Sequence, residues 1–190
     1  MQFRRIVTGH DADSKAVFAS DEMITARAVP GINFEFVPLW GGDVPAAFPD
    51  NGAEPAYQTY FPPAGGFRFG VFTIPAARAL PLASDERRNA YSEMERLFPG
   101  LAAHMEPSTP GMHTSDSIDF GYVISGSMWL ELDEGREKEL RAGDTFVQNG
   151  TRHAWRNRGT EPCHVLVALL GVHRAPSGVS VAQSVGRVSS

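Results

Sequence analysis

Apolar and polar positions alternate with a period of two along most of this chain and shift to a helical period in one stretch only. Residues 32–40 and 66–75 alternate as strands, and shorter runs at 4–7 and 15–18 predict two opening strands. In the 66–75 run, Phe67, Phe69, Val71 and Thr73 share one face, and Arg68, Gly70, Phe72 and Ile74 share the other. Residues 84–100 carry the helical period. Ser84 suits the N-cap, Asp85 and Glu86 suit the first turn, and Gly100 suits the far end. Ala90, Tyr91, Met94, Leu97 and Phe98 then fall on one stripe, read as a packing face.

From Ile118 onward the pattern is strand and turn: strands at 120–124, 128–132, 137–141, 145–148, 153–157 and 163–170. Glycine-rich turns separate them, and Asn149-Gly150 has the signature of a type I′ hairpin turn. In the second of these strands Met128, Leu130 and Leu132 point inward and Trp129 and Glu131 outward. That predicts Trp129 packed under the N-terminal segment or in a dimer interface. Residues 41–63, rich in Gly, Pro and Asp, predict a long loop serving as a binding loop or packing arm. Short strands at even spacing predict an all-β sandwich or small barrel.

Composition adds bounds. A chain of 190 residues, 42% hydrophobic, suits one domain with a proper core. The expected organisation is an arm, barrel-edge strands and one helix over 1–104, a core over 105–172, and a flexible tail over 173–190, frayed from Ala175 on. A net charge of -5 gives no footprint for nucleic acid. The single cysteine, Cys163, excludes an intramolecular disulfide framework and reads as a small core residue. The N-terminus lacks an apolar signal core, and no run approaches the length of a membrane span, so the expectation is a cytoplasmic protein without a membrane partner.

Chemistry concentrates between Gly111 and Asn157. His113, Asp119 and His153 stand on separate short β-like runs, two imidazoles and one carboxylate, the ligand types of a 2-His-1-carboxylate metal site. Such a set suits Fe(II), Mn(II), Ni(II) or Zn(II) and leaves positions open for an oxygen substrate. Trp155, Phe146, Met128 and Tyr122 are candidates for the apolar wall of a substrate pocket, with Gln148 beside them. Arg68 is a candidate for a substrate carboxylate or a solvated surface residue. Asp116 is a candidate general base and a competing carboxylate ligand. His10, His104, His164 and His173 lack partner spacing and read as structural or exposed.

The run Gly111-Met112-His113, then Asp119 and Gly126, followed by Gly143-Asp144, Gly150, His153 and Asn157, resembles the two motifs of the cupin superfamily. His113 falls on that family's first histidine, Asp119 on its glutamate, and Gly150, His153 and Asn157 on its second motif. Ser115 stands where a second histidine is usual, Gln148 replaces a proline, and one gap is a residue short. The match covers about residues 105–172; residues 1–110 resemble the N-terminal region of small single-domain bacterial and fungal cupins more weakly. The resemblance implies a jelly-roll barrel, or double-stranded β-helix, carrying an N-terminal extension and one helix. It implies a metal on His113, Asp119 and His153, a homodimer built through edge strands and the N-terminal arm, and a small-molecule substrate. The reaction would be of decarboxylase, dehydratase, isomerase or dioxygenase type. Two alternatives stand beside it: a metal-free cupin that binds or senses a small molecule, and a sugar-nucleotide epimerase of similar shape.

Overall fold

The structure is a computed structural model that describes residues 1–30, 34–76 and 83–175. In chain order it holds β1 (Gln2–His10), β2 (Ala16–Thr25), β3 (Arg27–Val29), β4 (Phe34–Gly42) and β5 (Phe67–Ile74), then α1 (Ser84–Leu97) and α2 (Leu101–His104). There follow β6 (Ser117–Ser125), β7 (Ser127–Glu131), β8 (Glu137–Arg141), β9 (Thr145–Gln148), β10 (Ala154–Arg156) and β11 (Cys163–Gly171). All strand pairs are antiparallel. One sheet runs β3-β4-β5-β11-β6-β9, a second runs β10-β7-β8, and β1-β2 is a separate hairpin.

The expected all-β jelly-roll architecture is present. The N-terminal strands β3, β4 and β5 extend the same sheet that holds β6, β9 and β11. Alternation decides what each face of that sheet does. On β11, Cys163, Val165, Val167 and Leu169 point into the main core beside Val123, Phe72 and Met128. Leu166, Ala168 and Leu170 point to the outer face. Cys163 is fully buried, as a small core residue should be.

Half of the outer face is covered by the chain itself: Phe3, Ile24, Ala26 and Leu166 pack on Val37, Leu39 and Val71. The other half is bare. Phe69, Phe120, Tyr122, Ile124, Val147 and Leu170 are all 39% exposed or more. Phe69, Ala168, Phe120 and Val147 are register partners across β5, β11, β6 and β9, so they form one apolar row.

Several local expectations change. The hairpin strands are nine and ten residues long rather than four. Charges on both faces of β2 hide its period, and long-range pairing sets it instead. The Asp11 carboxylate accepts from the amides of Asp13 and Lys15, which turns the chain between the two strands. The cap of α1 is Ala83, not Ser84; its amide donates to the Glu86 carboxylate at 2.9 Å. The predicted stripe does pack inward, with Ala90, Met94 and Phe98 buried. Asn149-Gly150 is not a type I′ turn, because only Gly150 has positive φ. It links β9 in one sheet to β10 in the other, a crossover that no two-residue hairpin makes. Gly150 is needed there for space as well, since a Cβ would lie 2.6 Å from the Ser115 carbonyl oxygen. Trp129 is covered not by the N-terminal segment but by the Arg158 guanidinium, 4.8 Å from the ring centre. Ile32 and Asn33 of one predicted strand, and the tail beyond Ala175, lie outside the described residues. Among the described residues no helix is long and apolar enough to cross a membrane.

Candidate active site

A cavity of about 620 Å³ lies between the sheets and the stripe of α1. Its lining is mostly aromatic and aliphatic, with His113 and Asp119 as its polar members from the cupin-like stretch. His113 and His153 come together through the backbone. Each donates its amide to the other's carbonyl at 2.9 Å, forming an isolated antiparallel bridge. Residues directly opposite in such a bridge put their side chains on one side, and the ring centres stand 4.2 Å apart.

Each imidazole is also oriented by a carbonyl two residues back. Nδ1 of His113 lies 3.0 Å from the Gly111 oxygen, and Nδ1 of His153 lies 2.8 Å from the Thr151 oxygen. A carbonyl only accepts, so Nδ1 carries the proton in both rings and Nε2 is left with its lone pair. Nε2 of His153 is buried without a hydrogen-bond partner. Burial, more than the neighbouring His113, pushes the His153 pKa down to about 3, and burial lowers His113 as well. Both rings are therefore neutral at physiological pH, the form that binds metals.

Asp119 reaches the same lining from β6. Ser115, Ser117 and Asp119 alternate inward and are all buried. The Ser117 hydroxyl donates to Asp119 Oδ1 at 2.6 Å and stands 3.0 Å from the Ser115 hydroxyl. With one proton to give, Ser117 donates to Asp119 and accepts from Ser115. Burial pushes the Asp119 pKa up to about 6, against the opposing Ser117 bond. A carboxyl raised from 3.8 to about 6 binds more protons in the folded state. Folding stability therefore falls as pH rises from about 4 to about 6, and the deficit persists above that. For metal-free protein, Asp119→Asn is expected to be more stable than wild type at pH 8 by roughly 1–3 kcal/mol and about equal at pH 4. Urea unfolding at the two pH values in chelator checks this; a less stable variant at pH 8 contradicts it.

The other predicted site residues divide. Trp155 and Phe146 line the cavity, with ring centres 4.7 Å apart. Trp155 also touches the His153 ring edge-on at 5.3 Å. Tyr122 does not line it: alternation on β6 turns it to the outer face, where it is 45% exposed. Met128 is fully buried in the core but not in the lining. Gln148 is buried opposite Asp119 in register, accepts from the Thr151 hydroxyl at 2.7 Å, and leaves its Nε2 without a partner. Asp116 is exposed and paired with Arg174, so it has no access to the cavity. Arg68, neither solvated nor in the lining, is only 2% exposed. It pairs with Asp43 at 2.5 Å, donates to the carbonyls of Thr59, Gly42 and Phe67, and stacks on Tyr57.

Sequence reasoning missed four further rings of the lining, Phe34, Tyr60, Phe61 and Tyr91. The Tyr60-Phe61 pair ahead of Pro62-Pro63 is the signal that pointed there. Among the described residues, no three His, Cys, Asp or Glu side chains converge into a cluster sized for a metal ion. The imidazole pair is assembled, while the Asp119 carboxylate is tied to Ser117.

Residues 102–169 match the family model described as Cupin domain. Phomopsin biosynthesis cluster protein C' of Diaporthe leptostromiformis is 51% identical over 47 residues, 25% of this chain and 25% of that protein. The cupin-domain-containing oxidoreductase srdB of Neurospora crassa is 27% identical over 173 residues, 88% of this chain and 73% of that protein. The chain thus spans about a quarter of the length of the first curated relatives it matches. Among solved structures, the cupin domain of Schizosaccharomyces pombe Cnp3 is similar at 11% identity and a TM-score of 0.43, covering 88% of this chain and 87% of that one.

Proposed function

The chain belongs to the cupin superfamily through residues 102–169, and on that premise we propose that it is an enzyme acting on a small oxygenated molecule, with a divalent metal on His113, His153 and Asp119. The observation that carries this reading is the imidazole pair: both Nδ1 atoms are fixed by backbone carbonyls, and the buried Nε2 of His153 has no partner. Metal-ligating histidines are oriented in that way. The donors fit a transition metal in kind, with Asp119 as the carboxylate beside them. Such an ion supplies Lewis-acid polarisation of a substrate oxygen.

This chain's own residues do the rest. Trp155 and Phe146 hold the apolar body of the substrate beside the reacting oxygen. Asp119 Oδ1 is held by Ser117, while Oδ2 accepts no hydrogen bond among the described residues and is the oxygen left for the ion. Decarboxylation, dehydration, isomerisation and dioxygen insertion all suit this set. The label of the Neurospora relative, an oxidoreductase, makes oxidation the first reaction to assay. A metal-free binding protein is the second reading, favoured by the absence of a closed three-donor cluster among the described residues.

Thermal unfolding separates the two. At a metal concentration 100 times its dissociation constant, Mn(II), Ni(II) or Zn(II) is expected to stabilise the chelator-stripped protein by about 2.7 kcal/mol. His113→Ala and His153→Ala lose that response. If wild type gains no stability from any of these ions, the metal reading fails.

The same reading has the protein working as a homodimer. The bare half of the outer sheet face is continuous with the half that the N-terminal hairpin already covers, and its six exposed residues are uncharged. A second copy buries such a face without charge repulsion. Light scattering is expected to give a dimer mass, reduced to monomer by Phe120→Asp with Val147→Asp. A monomeric wild type contradicts this.

A further inference from the structure

The cavity has a lopsided chemistry that says more about its ligand than the metal reading does. On one side stand His113 and Asp119; almost everything else in the lining is an aromatic ring or an aliphatic chain. Phe146, Trp155 and Phe72 form a connected ring wall, with centroid separations of 4.7 Å and 6.2 Å. Tyr60 and Phe61 join the lining from the loop after β4, in edge-on contact at 5.0 Å, with Phe61 6.2 Å from the His113 ring. Aromatic walls of this kind hold flat rings by offset or edge contacts. A volume of about 620 Å³ lies in the range of cavities that enclose a drug-sized molecule.

The arrangement of cations is as informative as that of the rings. A site for carboxylates or phosphates normally presents an arginine fork or a lysine. Here the arginines around the barrel are bound to protein oxygens. Arg68 is held by Asp43 and three carbonyls. Arg152 grips Glu106 with two bonds of 2.6 Å and reaches Asp133 at 2.9 Å. Arg156 is held by Glu131 and the Pro110 carbonyl, and Arg174 by Asp116 and two carbonyls. The one arginine in the described lining, Arg87, belongs to α1 and not to β6 or to the bridge segment that carries His113. The polar side of the cavity therefore offers the Asp119 carboxyl group and Nε2 of His113, groups that accept a hydrogen bond from a hydroxyl. A sugar would leave most of its hydroxyls unpaired against the rings, at a cost for each.

Resting on the reading of this cavity as the substrate site, we propose that it takes an uncharged, ring-bearing molecule of bicyclic size with a single hydroxyl directed at His113 and Asp119, and turns away carboxylic acids and sugars. The apolar body lies against the Phe146–Trp155 wall and the Tyr60–Phe61 pair. The hydroxyl donates to the acceptor that His113 or Asp119 presents.

Calorimetric titration of the chelator-stripped full-length protein tests this with four probes: 2-naphthol, 2-naphthoate, naphthalene and glucose. The expected order is 2-naphthol first, with naphthalene and 2-naphthoate each about tenfold weaker, the worth of one good hydrogen bond in a buried site. Glucose gives no heat of binding. His113→Ala combined with Asp119→Ala is expected to lose the preference for 2-naphthol over naphthalene. Should that double variant fail to fold by circular dichroism, Trp155→Ala serves instead, weakening 2-naphthol and naphthalene together. Binding of 2-naphthoate as tight as 2-naphthol overturns the proposal, as does binding of glucose or of none of the ring probes. Because the order is read without metal or turnover, a protein that holds no metal defeats the enzyme reading and leaves this result standing.

Discussion

Replacing Arg68 by alanine is expected to lower stability by about 3–5 kcal/mol, the cost of leaving three carbonyls and the half-buried Asp43 without their donor. The guanidinium is 2% exposed and gathers Asp43 with the carbonyls of Thr59, Gly42 and Phe67. It is the staple that ties the long loop between β4 and β5 to the sheet. That loop carries Tyr60 and Phe61, one wall of the cavity. The loss should therefore appear twice: as a lower midpoint in urea unfolding, and as weaker binding of any ring ligand in the protein that remains folded. Arg68→Met, which keeps much of the stem but no donors, should be nearly as unstable. A variant within about 1 kcal/mol of wild type would show that the loop is held by other means.

Gly171→Ala should act on the same loop from its other end. The Gly171 amide donates to the Gly66 carbonyl at 2.9 Å, and its own carbonyl accepts from Gly65 at 3.0 Å. A Cβ at this position would lie 1.9 Å from the Pro63 carbonyl oxygen. Overpacking typically costs about 1–3 kcal/mol where side chains can move aside. Here the obstacle is backbone, so the expected loss is at the top of that range or beyond, and the loop must leave the end of β11. Denaturant unfolding checks the size of the effect. Proteolysis checks its place, with faster cleavage expected within residues 43–66. A variant as stable and as resistant as wild type contradicts this close packing.

Much of the fold was legible because its strands are amphipathic and their turns carry glycine. The strands at 120–148 and 163–170 alternate cleanly, and each was placed within a few residues. The N-terminal hairpin was legible only in part. Its long second strand has charges on both faces and is ordered by pairing with β1, which no local pattern records. The crossover at Asn149-Gly150 looks like a hairpin locally and is a change of sheet globally.

The site was legible to the same degree. His113 and His153 are brought face to face, and Asp119 shares the cavity with His113. Trp155 and Phe146 form its wall. Tyr122 was misplaced although alternation from Asp119 already turns it outward, and Asp116 fails for the same reason. Arg68 has the right face and the wrong partners, because a distant loop folds over it. The rest of the aromatic lining came from β4, that loop and α1, whose contributions depend on tertiary folding. Ser115, placed where a histidine is usual, proves to be fully buried and joined through Ser117 to Asp119.

The central claim is that His113, His153 and Asp119 hold a metal, and elemental analysis of protein purified without chelator tests it most directly. One equivalent of a single transition metal per chain is predicted for wild type, with His153→Ala folded and empty. Less than a tenth of an equivalent in wild type, unchanged after incubation with Fe(II), Mn(II), Ni(II) and Zn(II) and desalting, would contradict it.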